Sequence, residues 1–163
     1  MNHIKQLPIP LLHSDINKIK FLYINGHSLF HGRYLNNPDW KSFNLITEFS
    51  VSPFLEKLPF ISSWFKELKE YTGIRNIRTS YISILEKKSS IDWHVDSTND
   101  NFHKTILTSI NTKKSFIQFE DIKYSYKEGY SYLIRSGIDH RICNLNNDIR
   151  IMLCTTPEEN RYV

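Results

Sequence analysis

The 163-residue chain reads as mainly β with helices in its N-terminal part, an α+β arrangement closing on an antiparallel sandwich or barrel. Three observations carry that reading. The hydrophobic period changes from helical to two at residue 77. Seven short alternating runs then follow at hairpin-length spacing. Five glycines and six prolines are few enough that each one punctuates. A hydrophobic fraction of 40% with 13% aromatics supplies a packed core and excludes global disorder.

Ser14-Asp15 is placed to cap a short helix whose apolar face is Ile16, Ile19 and Tyr23, with Gly26 as its stop. Phe21–Ile24 within it reads equally as a strand. Residues 27–53 read as irregular, with Asn-Asn-Pro-Asp at 36–39 as a turn before Trp40. A second helix starts near Pro59, carries Ile61, Trp64, Phe65, Leu68 and Tyr71 at helical spacing, and ends at Gly73. Strands are expected at Ile77–Leu85, Ile91–Val95, Thr105–Asn111, Ser115–Phe119, Tyr130–Arg135, Asp139–Asn144 and Ile149–Thr155. One domain, 1–163, is expected, with 1–76 as a helical and irregular buttress on the substrate side and 77–157 as the β core.

Charge excludes more than it suggests. The formal net charge of +4 invites a polyanion partner, but residues 1–82 hold 10 Lys/Arg against 6 Asp/Glu and residues 83–163 hold 11 against 11. The surplus therefore lies outside the β half. Alanine is absent and Lys, Asn and Ile are abundant, a whole-chain coding bias rather than a designed basic surface. Two cysteines, Cys143 and Cys154, form neither a disulfide framework nor a zinc spacing. No continuous apolar run suits a signal or a membrane span. A cytoplasmic protein that does not engage a membrane is the expectation.

The residues that carry chemistry are His94-x-Asp96, His140 and Arg150. Strand residues two apart point the same way, so His94 and Asp96 offer a nitrogen and an oxygen to one point. His140, 46 positions after His94, would join them from a distant strand. Two imidazoles and a carboxylate on one face of a metal suit Fe(II) and leave positions open for a co-substrate and O2. A tight turn flanked by Asn144 and Asp148 would pair His140 with Met152 and Ile142 with Arg150. His140, Ile142, Asn144, Arg150, Met152 and Cys154 would then share the interior face. His140 and Arg150 would be diagonal neighbours about 7–8 Å apart. That gap suits a small dicarboxylate held by metal at one end and guanidinium at the other.

Trp93-His94-Val95-Asp96, Asp139-His140-Arg141-Ile142-Cys143-Asn144 and Asp148-Ile149-Arg150-Ile151 resemble the Fe(II)/2-oxoglutarate-dependent oxygenases. Within them the chain is most similar to the aspartyl/asparaginyl β-hydroxylase branch, which includes free-amino-acid proline hydroxylases. Asp39–Leu45 resembles that branch's Trp-containing segment, and Leu58-Pro59 resembles its helix entry, so the likeness spans roughly residues 34–157. The resemblance implies a double-stranded β-helix, a jelly-roll or cupin-like barrel. It implies Fe(II) held by His94, Asp96 and His140, and Arg150 on the distal carboxylate of 2-oxoglutarate. It implies hydroxylation of an unactivated C–H bond with release of succinate and CO2. Asp96 sets the chain nearer bacterial and phage-type members with a full triad, and away from halogenases. Where the branch often carries a basic co-substrate contact nine residues after the first histidine, this chain has His103, followed by Lys104.

Alternatives stand beside these readings. His103 is either a co-substrate contact or a solvated loop residue. Trp40 and Trp93 either line the substrate mouth or pack in the core. Arg33, Arg135 and Arg141 are candidates for a substrate carboxylate or members of solvated surfaces. Residues 97–102 form a lid or a simple connection. His27 and His31, four apart beside Gly26 and Gly32, read as loop histidines. The expected substrate is a small molecule or a peptide, an amino acid or an amino-acid side chain, and the compact length favours the free form. Nucleic-acid oxidative demethylation, which needs a basic groove with stacking aromatics, and a non-catalytic jelly-roll ligand module are the competing functions.

Overall fold

The computed structural model describes residues 3–8, 16–25, 31–32, 37–96, 104–120 and 122–158. In chain order it contains β1 (Ile4–Leu7), α1 (Ile16–Asn25), β2 (His31–Gly32), β3 (Trp40–Ile46), a 3-10 turn (Pro53–Lys57) and α2 (Pro59–Thr72). There follow β4 (Ile77–Leu85), β5 (Ser90–His94), β6 (Thr105–Asn111), β7 (Ser115–Phe119) and β8 (Ile122–Ser125). The last three are β9 (Ser131–Ile134), β10 (His140–Asn144) and β11 (Arg150–Pro157). All strand pairings are antiparallel. One sheet runs β1-β9-β6-β11-β4-β3-β2, and the other β5-β10-β7-β8. From β4 onward the chain passes back and forth between the two sheets, which makes the double-stranded β-helix.

α2 forms where the sequence places it. Pro59 fits the first turn, where a missing N–H costs nothing. Gly73 closes the helix at φ 71°, its N–H donating to the Lys69 carbonyl. Ile61, Trp64, Phe65 and Leu68 are buried as one stripe. Tyr71, expected on that face, is exposed, because the 3.6-residue period has carried position 71 to the stripe's margin. α1 likewise buries Ile19 and Tyr23, and the alternative strand at 21–24 does not form. Its expected cap at Ser14-Asp15 and stop at Gly26 lie outside the described residues.

The core has two layers. Both helices pack on the outer face of the larger sheet, over Phe43, Leu45, Ile82, Ile84, Ile151 and Leu153. The second layer fills the space between the sheets with Trp40, Leu85, Leu107, Ile142, Met152 and Cys154. β11 contributes to both, odd positions to the helices and even positions to the interior, so all eight of its residues are buried. A strand covered on both faces loses the alternation of a half-exposed one.

Three expectations need correction. The stretch 27–53 is not wholly irregular: β3 pairs with β4 along its length. A shift between Asn44 and Ile46 breaks its alternation, which hid it from a period-two reading. β8 was not expected either, being a short edge strand with Ile122 and Lys123 exposed. Most consequentially, β10 and β11 do not form a hairpin. β10 pairs with β5 and β7, while β11 pairs with β4 and β6. The turn between them crosses from one sheet to the other, held by the Asn144 amide, which donates to the carbonyls of Leu85, Glu86 and Asp148. The diagonal His140–Arg150 relation therefore falls. The shared interior face survives, since His140, Ile142 and Asn144 and Arg150, Met152 and Cys154 are all buried, facing one another across the sandwich.

Candidate active site

The two histidines meet because β5 and β10 are paired with His94 opposite His140. Between that pair and the next, Ile142 opposite Ile91, β5 has one residue more than β10. This bulge at Asp92-Trp93 re-aims the strand. Ile91 and His94, three apart, both reach the cavity between the sheets, where strict alternation would have turned one away. β5 ends at His94, and Asp96 follows in a bend rather than in the strand. Its backbone N–H donates to the Ser136 carbonyl at 2.8 Å. The Ser136 hydroxyl in turn meets that of Thr105 at 2.8 Å in the interior.

One nitrogen from each histidine and one Asp96 oxygen lie within 4.8 Å of one another. Asp96 Oδ1 is 3.6 Å from His94 Nε2 and 4.0 Å from His140 Nε2. Each imidazole is oriented from behind. His94 Nδ1 lies 2.7 Å from the Asp92 carbonyl, and His140 Nδ1 lies 2.8 Å from the Ile138 carbonyl. A carbonyl only accepts, so the neutral ring carries its proton on Nδ1 and leaves the Nε2 lone pair free for a metal. His140 is 1% exposed. Burial pulls its pKa below the usual imidazole range, with His94 adding to the effect against the pull of Asp96. It therefore stays neutral, the form that ligates. Trp40 packs on His94 at 5.9 Å between centroids and Phe119 on His140 at 5.6 Å, which limits ring rotation.

Arg150 opens β11 and points into the same cavity. It is 1% exposed. Among the described residues, its Nε and Nη2 have no hydrogen-bond partner. A buried cation with unused donors is costly unless an anion completes it. The donor set thus fits both expected groups: two neutral imidazoles and a carboxylate for Fe(II), and a guanidinium for a carboxylate of the co-substrate.

The other candidates divide. Trp40 is in the cavity wall, its indole Nε1 donating to Ser83 Oγ at 3.0 Å. Trp93 is not: the bulge leaves it on the outer face, 39% exposed, under the Arg141 guanidinium at 5.3 Å. Arg141 is held there by two hydrogen bonds to Gln118. Arg135 is half-buried just after β9, its backbone N–H on the His3 carbonyl, and is not part of the cavity wall. His103, His27, Arg33 and the 97–102 segment lie outside the described residues; His31 is in β2.

Sequence reasoning missed Ser83 and Tyr126. Ser83 faces inward from β4 beneath Trp40. Tyr126, just past β8, lies against Arg150, 5.5 Å from ring centroid to Cζ. Period-two alternation through Leu85 could have flagged Ser83. Nothing local marks Tyr126, which reaches Arg150 only through the sheet crossing.

The family model for aspartyl/asparaginyl β-hydroxylases matches residues 16–158. The chain belongs to that family. By that membership it is a hydroxylase. Solved structures share its fold. A 2OG-Fe(II) oxygenase family oxidoreductase from Burkholderia pseudomallei is 12% identical, with TM-score 0.64 over 97% of this chain and 86% of that one. A prolyl hydroxylase from Trichoplax adhaerens, in complex with a hypoxia inducible factor oxygen degradation domain peptide fragment, is 14% identical, with TM-score 0.65 over 99% and 86%. A prolyl-4-hydroxylase from Pseudomonas putida is 8% identical, with TM-score 0.64 over 98% and 94%. No curated protein matches the sequence.

Proposed function

We propose that this hydroxylase uses Fe(II), O2 and 2-oxoglutarate to hydroxylate an unactivated C–H bond of an amino acid or amino-acid side chain, releasing succinate and CO2. His94, Asp96 and His140 would hold the iron, and Arg150 the distal carboxylate of 2-oxoglutarate. The observation that carries this reading is the buried Arg150, whose unused Nε and Nη2 share one cavity with the His-Asp-His cluster. When bound, iron and 2-oxoglutarate supply the oxidation: one oxygen atom of O2 goes to the substrate carbon and the other to succinate as CO2 leaves.

The chain's own residues position and shelter. The carbonyls of Asp92 and Ile138 fix both histidine tautomers. The Asp96 N–H bond to Ser136 fixes where its carboxylate emerges. Trp40, tied to Ser83, closes one side of the cavity, while Ile142 and Leu107 line it with apolar surface. Arg150 sets the orientation of a dicarboxylate by a charge-assisted contact available to only one of its ends.

The test is succinate formation from 2-oxoglutarate with Fe(II), with and without an amino-acid and peptide pool, followed by mass spectrometry for a gain of one oxygen. Iron- and 2-oxoglutarate-dependent turnover is expected, falling roughly a hundredfold or more in His140→Ala, beyond the usual cost of losing an outer-shell partner. Turnover that persists in His140→Ala, or none in the wild type with any pool, contradicts the reading.

A further inference from the structure

The outer face of the small sheet carries a cluster of side chains that the cavity does not use. Trp93 of β5 lies under the Arg141 guanidinium of β10, 5.3 Å from ring centroid to Cζ. Arg141 donates from Nε and Nη2 to Gln118 Oε1 at 3.0 and 2.8 Å, and Gln118 is its register partner on β7. Gln118 is fixed in turn: it is buried, and its Nε2 donates to the Glu120 carbonyl. One side chain from each of the adjacent strands β5, β10 and β7 is thus joined in a single clasp. Each member is also the sequence neighbour of a residue at the metal site. Trp93 precedes His94, Arg141 follows His140, and Gln118 precedes Phe119, which packs on His140 at 5.6 Å. Successive strand side chains point to opposite faces, so holding one of each pair outside holds its neighbour inside. The lever matters most in β5. The ladder is interrupted by the bulge just before His94, where the Trp93 N–H is taken by Asp92 Oδ1 at 2.8 Å. The stacked indole supplies a restraint that the ladder lacks there.

We infer that Trp93 and Arg141 are positioning residues for the metal: their clasp on the solvent face of the small sheet presets where His94 and His140 aim on the other face. The inference rests on the metal role of His94, Asp96 and His140 given above. Arginine suits this place because its planar guanidinium stacks on an indole while one edge makes two hydrogen bonds, which an ammonium cannot do.

The experiment titrates the metal-free protein with Co(II), an air-stable stand-in for Fe(II) whose visible absorption reports coordination geometry, and follows urea unfolding of the same samples. Trp93→Thr should weaken Co(II) binding roughly tenfold, the low end of the cost of losing a partner that orients a ligand, and should alter the spectrum. Arg141→Met should do the same, and Arg141→Lys should match it. Trp93→Phe, which keeps a ring under the guanidinium, should stay within about threefold of the wild type. Phe116→Thr is the control: Phe116 is on β7 beside Cys143, under Lys123 and outside the clasp. It should lower stability and leave Co(II) affinity unchanged. Wild-type affinity and spectrum in folded Trp93→Thr or Arg141→Met overturn the inference and leave the metal ligands standing. Equal weakening by Phe116→Thr also overturns it, since that marks a general loosening of the sheet. Co(II) binding that survives His140→Ala removes the metal reading itself, and the inference with it.

Discussion

The two faces of the seven-stranded sheet are built from the same strands to different ends. Toward the helices, β4 and β11 present Ile82, Ile84, Ile151 and Leu153, all at most 1% exposed and packed in one apolar cluster. Toward the other sheet the same strands present Ser83, Arg150 and Cys154 beside Leu85 and Met152. The first face is arranged for stability. The second accepts a buried guanidinium whose Nε and Nη2 have no hydrogen-bond partner among the described residues, a cost that an anionic ligand would offset. Alternation along a strand lets one element serve both, so stability and activity should separate cleanly by residue parity.

The largest effect on stability should come from the helix side. Leu153→Ala is expected to cost about 2–5 kcal/mol, read by urea unfolding, while the 2-oxoglutarate requirement of the folded fraction stays at the wild-type value. A changed requirement would break the separation. Three positions earlier and of opposite parity, Arg150→Met should do the reverse. It should raise the unfolding free energy of the ligand-free protein by about 1–3 kcal/mol, because an uncompensated buried charge has gone. It should also raise the 2-oxoglutarate requirement by roughly 10–100-fold. Destabilisation by Arg150→Met would show that the guanidinium is a structural element rather than a receptor.

The smallest expected effect concerns the turn that carries the chain between the sheets. Asp148 is partly buried, which alone would raise its pKa, but hydrogen bonds from Lys20, Asn111 and the Ile149 N–H outweigh this and hold it below 3.8. A carboxylate with a lowered folded pKa contributes stability that is present above the unfolded value and lost as pH falls through the folded one. Below about pH 4 that contribution should therefore fade. Lys20→Met should make the acid loss shallower, with little change at pH 7, since the pair is half exposed and worth little. An unchanged acid profile would remove the Lys20 pair from the account of this turn.

How far the sequence carried depends on whether information was local. The boundaries of β4, β6 and β7 match their alternating runs, and α2 matches from Pro59 to Gly73, because period and punctuation are properties of neighbouring residues. The candidate metal ligands were legible because histidine and aspartate at those spacings are chemically conspicuous. What failed was long-range. The expected hairpin of β10 and β11 assumed that a short turn means pairing, whereas Asn144 and the strand crossing send the two into different sheets. Parity survived that error because inward and outward alternate regardless of partner. The bulge that puts Trp93 outside and His94 inside has no composition of its own, and Tyr126 meets Arg150 through topology alone.

The central claim is that one cavity holds iron at the His-Asp-His cluster and the far carboxylate of 2-oxoglutarate at Arg150. A crystal structure of the protein grown without oxygen in Fe(II) and 2-oxoglutarate tests it most directly. The account predicts iron on His94 Nε2, His140 Nε2 and the Asp96 carboxylate, with the distal carboxylate on the Arg150 guanidinium. Iron on other ligands, or 2-oxoglutarate bound with Arg150 untouched, would contradict it.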